Sequence, residues 1–122
     1  MRFDQTIPIY IQLSREIMIQ IVSGAWKPGQ KIPSVRELAA EFGVNPNTMQ
    51  RAMTELERQG LVYAERTAGR YVTEDVERII ACRWALAEEE SKKYLTAMEG
   101  LGFSPERTRE ILWELWKGEE TK

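Results

Sequence analysis

Apolar positions recur along this chain at helical spacing in five stretches, broken once by a short alternating segment. Ile9, Leu13, Ile17 and Ile21 step by four, with Tyr10 and Met18 alongside. That periodicity predicts a first helix over residues 8–23. Pro8 suits its first position, where a missing N–H costs nothing, and Gly24 suits the residue after its end. Lys27-Pro28-Gly29-Gln30 then reads as a β-turn, with Pro second and Gly third.

A second helix starts at Ser34. Ser34-Val35-Arg36-Glu37 has the form of a capping box, in which serine and glutamate each satisfy a free N–H of the first turn. Val35, Leu38, Ala39 and Phe42 form its apolar face, and Gly43 ends it. The third helix follows at once, with Asn45 as cap and Pro46 as first residue. Met49, Ala52, Met53 and Leu56 make its buried stripe; Asn47, Gln50, Arg51, Thr54 and Arg58 lie mostly on the other side. Gly60 closes it.

Two short helices joined by Gly43-Val44 make a helix-turn-helix. Behind it, residues 61–65 and 70–73 read as strands, with Arg66-Thr67-Ala68-Gly69 as the loop between them. A hairpin in this place is a wing. From residue 74 the pattern changes. Val76, Ile80, Trp84, Ala87, Ser91, Leu95, Met98 and Leu101 follow one helical stripe, with Glu88-Glu89-Glu90 and Lys92-Lys93 facing outward. Gly100 and Gly102 stop this helix. Ser104-Pro105 opens a last one carrying Ile111, Leu112, Trp113, Leu115 and Trp116.

The expected fold is therefore mostly α with a small β wing. A winged helix-turn-helix over residues 1–73 precedes a two-helix dimerisation tail over residues 74–122. The tail's stripe is too long for one terminal helix to cover, and small domains gain from association. Val76, Ile80, Trp84, Leu95, Leu112 and Trp116 are the candidate dimer-interface residues. For Trp84, Trp113 and Trp116, core or dimer contact is favoured over an aromatic ligand box.

Charge supports a division of labour. Residues 1–73 hold nine Lys/Arg and seven Asp/Glu, and residues 74–122 hold eight and twelve, so a net +2 part adjoins a net −4 part. That is compatible with one part that meets DNA and one that avoids it. The chain has one cysteine, Cys82, and no histidine. Thiolate and imidazole metal sites, and Ser-His or Cys-His catalysis, are thereby excluded within one chain. No cofactor or metal is expected, and an enzyme is remote. The N-terminus lacks the form of a secretory signal, and no apolar run reaches the ~18 residues of a membrane helix, so a cytoplasmic protein is expected.

The second helix of a helix-turn-helix reads the major groove while the first crosses the backbone. Here that helix offers Asn47, Thr48, Gln50 and Arg51 from its N-terminal half. Asn and Gln can pair with adenine, and Arg with guanine or phosphate. Arg36 stands beside the turn, where a DNA contact and a pairing with Glu37 or Glu41 are equally open. Arg66, Gly69 and Arg70 flank the hairpin tip, where basic residues can lie on the backbone or in the minor groove; edge-strand charges would look the same. A winged helix that binds protein in place of DNA is the competing function.

As an ordered set, these residues resemble the GntR superfamily of bacterial regulators. The resemblance rests on Pro8 to Gln12, Gly24 to Ala39, Gly43 to Thr48, Ala52, Leu56-Glu57, Gly60-Leu61 and Gly69 to Val72. The Asn45-Pro46-Asn47-Thr48 turn and the short tail resemble the YtrA-like subfamily. The resemblance implies a homodimeric repressor that binds a double-stranded DNA operator, often before an ABC transporter operon. It also implies DNA contacts from Arg36, Asn47, Thr48, Gln50, Gly69 and Arg70. Pro46 and Gln50 depart from frequent family arginines, and Thr67 from a frequent glycine, so operator preference does not carry over. A small-molecule effector would have little room for an enclosed cavity of ~300 Å³ within residues 74–122. It would bind between subunits or where the tail meets the winged part.

Overall fold

The computed structural model describes residues 2–66 and 68–120. In chain order it contains α1 (Ile9–Val22), α2 (Val35–Phe42), α3 (Pro46–Arg58), β1 (Val62–Glu65), β2 (Gly69–Val72), α4 (Val76–Gly100) and α5 (Pro105–Glu120). These divide into two compact units, residues 1–83 and 84–122, so the first two turns of α4 belong with the helices and strands before it.

In the first unit, α1 and α2 both pack on α3, and α3 packs on β1. Leu13, Ile17 and Ile21 of α1 meet Met49, Ala52, Met53 and Leu56 of α3, all of them buried. Leu38 and Ala39 of α2, Ile32, Leu61, Val62 and Val72 complete this core. Ile9, at the head of the predicted stripe, is 43% exposed, because the stripe reaches the core only from Leu13 onward. Ser14 is buried without penalty: its hydroxyl donates to the Tyr10 carbonyl, 2.7 Å away.

The predicted caps are present. Ser34 accepts from the Glu37 N–H, and Glu37 accepts from the Ser34 N–H. Asn45 accepts from the Asn47 N–H at 2.8 Å. Pro8 stands one place earlier than expected: its ψ of 137° makes it the cap, and Ile9 the first helical residue. The fourth helix runs to Gly100, and the motif that ends it is centred on Gly102. The Phe103 N–H bonds to the Met98 carbonyl and the Gly102 N–H to that of Glu99.

The strands pair antiparallel with Val62 opposite Val72 and Glu65 opposite Gly69, and the Tyr63 and Tyr71 rings stack at 5.7 Å. The wing has a neighbour the hydrophobic pattern did not announce. Residues 29–32 run along the outer edge of β2, where the Gly29 N–H bonds to Val72, the Val72 N–H to Gln30 and the Ile32 N–H to Arg70, each at 2.9 Å. The Lys27–Gln30 turn, closed by the Gln30 N–H on the Lys27 carbonyl, aims the chain into this edge.

Two arginines fasten the start of α4. Arg78 donates to the Gln59 carbonyl at the end of α3, and Arg83 to the Val22 carbonyl at the end of α1. Each places a cation on a helix C-terminus, where free carbonyls and the helix dipole favour it. Between them Ile79 is buried, although the tail's stripe points to its neighbour Ile80, which is 40% exposed.

In the second unit, residues 101–104 join the rest of α4 to α5. Thr108 is buried and donates to the Ser104 carbonyl, and Met98 is the other well-covered side chain. The surface is strongly apolar: Trp84 is 72% exposed and Trp116 66%, with Leu95, Leu101, Leu112, Trp113 and Leu115 exposed as well.

Candidate nucleic-acid interface

The site is built on α3. Its buried stripe fixes the rotation of the helix, so Asn47, Gln50, Arg51 and Thr54 emerge on the surface and Thr48 is half-buried. The edge pairing of residues 29–32 then brings Lys31 and the start of α2 against the wing. The result is a groove of about 770 Å³ lined by Lys31, Ser34, Arg36, Gln50, Gly69 and Arg70, among others. Thus four of the predicted DNA-contact residues, drawn from α2, α3 and β2, share one groove.

Asn47, Thr48 and Arg51 line a separate shallow depression with Pro8, Ile9 and Tyr10. The Arg51 guanidinium lies over the Tyr10 ring, 4.0 Å from its centre. Such a stack holds a cation by the ring's quadrupole and restricts its orientation. Arg66 is exposed near the hairpin tip and lines neither hollow. Thr67, the wing's departure from the family pattern, lies outside the described residues.

The basic side chains differ in how they are held. Among the described residues, Arg36 forms no ion pair with Glu37 or Glu41, so its charge stands unmatched at the groove. Arg58 is committed elsewhere: it grips Glu55 with Nε and Nη2. Hydrogen bonds from Arg58 and then Gln59 lower the Glu55 carboxyl to a pKa of about 2. Arg70 donates from Nε to Glu57 on α3. Gly69 beside it has φ of +94°, a conformation that L side chains rarely adopt, and a Cβ there would sit 3.5 Å from Lys31 Cε.

Three residues of this region escape a reading by pattern. Lys31 looks like part of a loop. Tyr10 looks like a companion of the α1 stripe. Glu57 looks like a solvated charge. Only the alternation of Lys31-Ile32, with Ile32 buried, hints at an edge segment. No group of three metal-ligating side chains exists among the described residues, and no helix among them is long and apolar enough to cross a membrane.

A capped helix pair, a recognition-helix face and a hairpin enclosing one basic groove define the class of winged helix-turn-helix transcriptional regulators. Residues 9–72 match the family described as bacterial regulatory proteins, gntR family, and the chain belongs to it. It is 33% identical to the HTH-type transcriptional repressor YtrA of Bacillus subtilis, over 88% of this chain and 84% of that one. A GntR family transcriptional regulator from Listeria monocytogenes has a solved structure that superposes with a TM-score of 0.83 at 38% identity, covering 92% of this chain and 98% of that one. The DNA-binding domain of AraR, solved in complex with operator ORR3, matches 60% of this chain and 88% of its own at 36% identity, with a TM-score of 0.54. The relatives are transcriptional regulators, not enzymes.

Proposed function

We propose that this chain is a DNA-binding transcriptional repressor that acts in the cytoplasm and binds an inverted-repeat operator as a homodimer. Residues 1–73 bind the DNA and residues 74–122 hold the dimer. The single observation that carries the reading is the groove shared by Arg36, Gln50, Gly69 and Arg70. Unmatched basic charge, an amide able to read adenine and a wing tip lie along one surface. That is the donor set a duplex requires and an ordinary protein partner does not. The operator complexes of the AraR domain support it.

Within the reading, α3 enters the major groove with Asn47, Thr48 and Gln50 toward base edges. Arg36 and Arg51 meet the backbone, and Arg66 follows the wing. That the controlled operon encodes an ABC transporter rests on the YtrA-like resemblance alone. Any small-molecule effector would act by binding one arrangement of the two subunits better than another.

The test is selection of bound duplexes from a random pool, followed by titration at several salt concentrations. Phosphate contacts release counterions, so log K should fall linearly with log salt. A protein that enriches no sequence and binds duplexes without salt dependence is a protein-binding module, and the reading fails.

A further inference from the structure

One acidic side chain stands where a DNA-binding surface gains nothing from negative charge. Glu57 lies on α3, on the side toward the wing, and it takes the Nε–H of Arg70 on β2. The two are thirteen residues apart in sequence, and both are only partly exposed. Arg58–Glu55 and Arg78–Asp75, by contrast, are local pairs three residues apart. A single ion pair still partly open to solvent contributes modestly to stability, so stability alone gives an incomplete account of this one. Geometry gives a better one. A guanidinium is planar and donates in a rigid fork; fixing its Nε edge fixes the plane of the rest. Arg70 also lines the groove with Arg36 and Gln50.

We propose that Glu57 is a positioning residue for DNA recognition: it holds the Nε edge of Arg70, so that the Nη groups meet DNA in one set orientation. An arginine free to swing reaches many phosphates and discriminates little. An arginine tethered through Nε has part of its charge matched and its remaining donors aimed, which favours one geometry of the bound duplex over others. Glu57 thereby raises selectivity while lowering affinity for arbitrary DNA. This inference rests on the DNA-binding reading above.

The experiment compares wild type with Glu57→Ala, Glu57→Gln, Arg70→Ala and the Glu57→Ala/Arg70→Ala double variant. Each is titrated with the selected operator and with a random duplex of equal length across a salt series, after thermal unfolding confirms that it folds. In Glu57→Ala the untethered arginine should tighten random-duplex binding and steepen the salt slope by about one. The ratio of operator to random affinity should fall about tenfold, near the low end of one base-edge contact. Glu57→Gln keeps the acceptor oxygen and should retain more of that ratio than Glu57→Ala. In the Arg70→Ala background, removing Glu57 should not change the ratio further.

If Glu57→Ala weakens both duplexes by one factor with an unchanged slope, Glu57 is only a strut and the proposal is wrong. Unchanged binding overturns it equally. Should Glu57→Ala fail to fold, the near-isosteric Glu57→Gln decides: selectivity lost only when Arg70 is present supports the proposal, and selectivity unchanged sinks it. Failure of the wild type itself to bind duplex DNA falls on the proposed function instead.

Discussion

At the scale of single residues, the groove places side chains proposed to read DNA beside side chains proposed to hold it. Gln50 emerges from α3 with only a long 3.4 Å contact to Thr54 Oγ1, so its amide is available to a base edge. Asn47 is exposed near the helix start, its own N–H already taken by Asn45. Gln50→Ala and Asn47→Ala should therefore change which sequence is selected, each by about 1–3 kcal/mol of discrimination. Arg36 carries unmatched charge, so Arg36→Ala should weaken all duplexes alike and reduce the salt slope by about one. Competition titrations with single-base variants of the selected operator separate the two. If Gln50→Ala leaves the selected sequence unchanged, α3 presents a different face to DNA. Much of this surface was legible in advance, because the stripe of Met49, Ala52, Met53 and Leu56 forces the polar residues outward. The contacts of Glu57 and Tyr10 were not legible. Each depends on a partner in another element, Arg70 and Arg51, and sequence spacing carries no information about contacts between elements.

At the scale of elements, helix ends decide the geometry, and they were the easiest features to read. Ser34 with Glu37, and Asn45 with Pro46, are local motifs whose partners lie within three residues, so tertiary structure has little to override. The edge pairing of residues 29–32 is the opposite case. It depends on a strand forty residues later, and locally only the Lys31-Ile32 alternation sets it apart from loop. The junction of α3 with β1 carries a prediction. Gly60 has φ of +76°, and a Cβ there would lie 2.9 Å from Arg78 Nη1. Gly60→Ala should destabilise the fold by about 1–2 kcal/mol through the left-handed backbone alone. It should also push Arg78 off the end of α3. Denaturant unfolding measures the first effect. Pairing Gly60→Ala with Arg78→Ala measures the second, since the double variant should lose less than the sum. Additive losses would show that the arginine does not rest on that glycine.

The same helix has a pH signature. The carboxyl of Glu55 is lowered in the fold from 4.5 to about 2 by Arg58 and Gln59. A carboxylate depressed by folding adds stability that is complete above its unfolded pKa and is lost as pH falls toward the folded one. Glu55 should thus contribute its share above about pH 5 and lose it progressively between about pH 4.5 and 2. Because its partner Arg58 is largely exposed, the share is small and falls further with salt. Glu55→Gln should flatten the acid limb of the unfolding curve in that window and leave neutral-pH DNA selectivity intact. An acid limb identical to wild type would mean that the Arg58 pair adds nothing to stability.

At the scale of the whole molecule, the question is what covers the apolar surface of residues 84–122. Trp84, Leu95, Leu101, Trp113, Leu115 and Trp116 are each at least half exposed, a content far above scattered surface hydrophobics. The occupant we propose is a second copy of the chain, which would also account for the DNA-binding part. One winged helix offers a single recognition helix, and two-fold pairing presents two of them to a duplex. Trp84→Asp places an unpaired carboxylate in that surface, so it should shift the protein from dimer to monomer or aggregate, read by light scattering at micromolar concentration. Such a dimer would dictate the operator. Two identical subunits related by a two-fold axis bind most tightly where the DNA carries the same half-site twice in opposite orientation, and the half-site spacing reports the separation of the recognition helices. A footprint on the selected operator should therefore protect both halves of an inverted repeat. Trp84→Asp should lose operator binding far more steeply than binding to random duplex, because each half-site alone offers one recognition helix. A wild-type protein that is monomeric in solution and protects one asymmetric half-site would refute the dimer and the inverted repeat together.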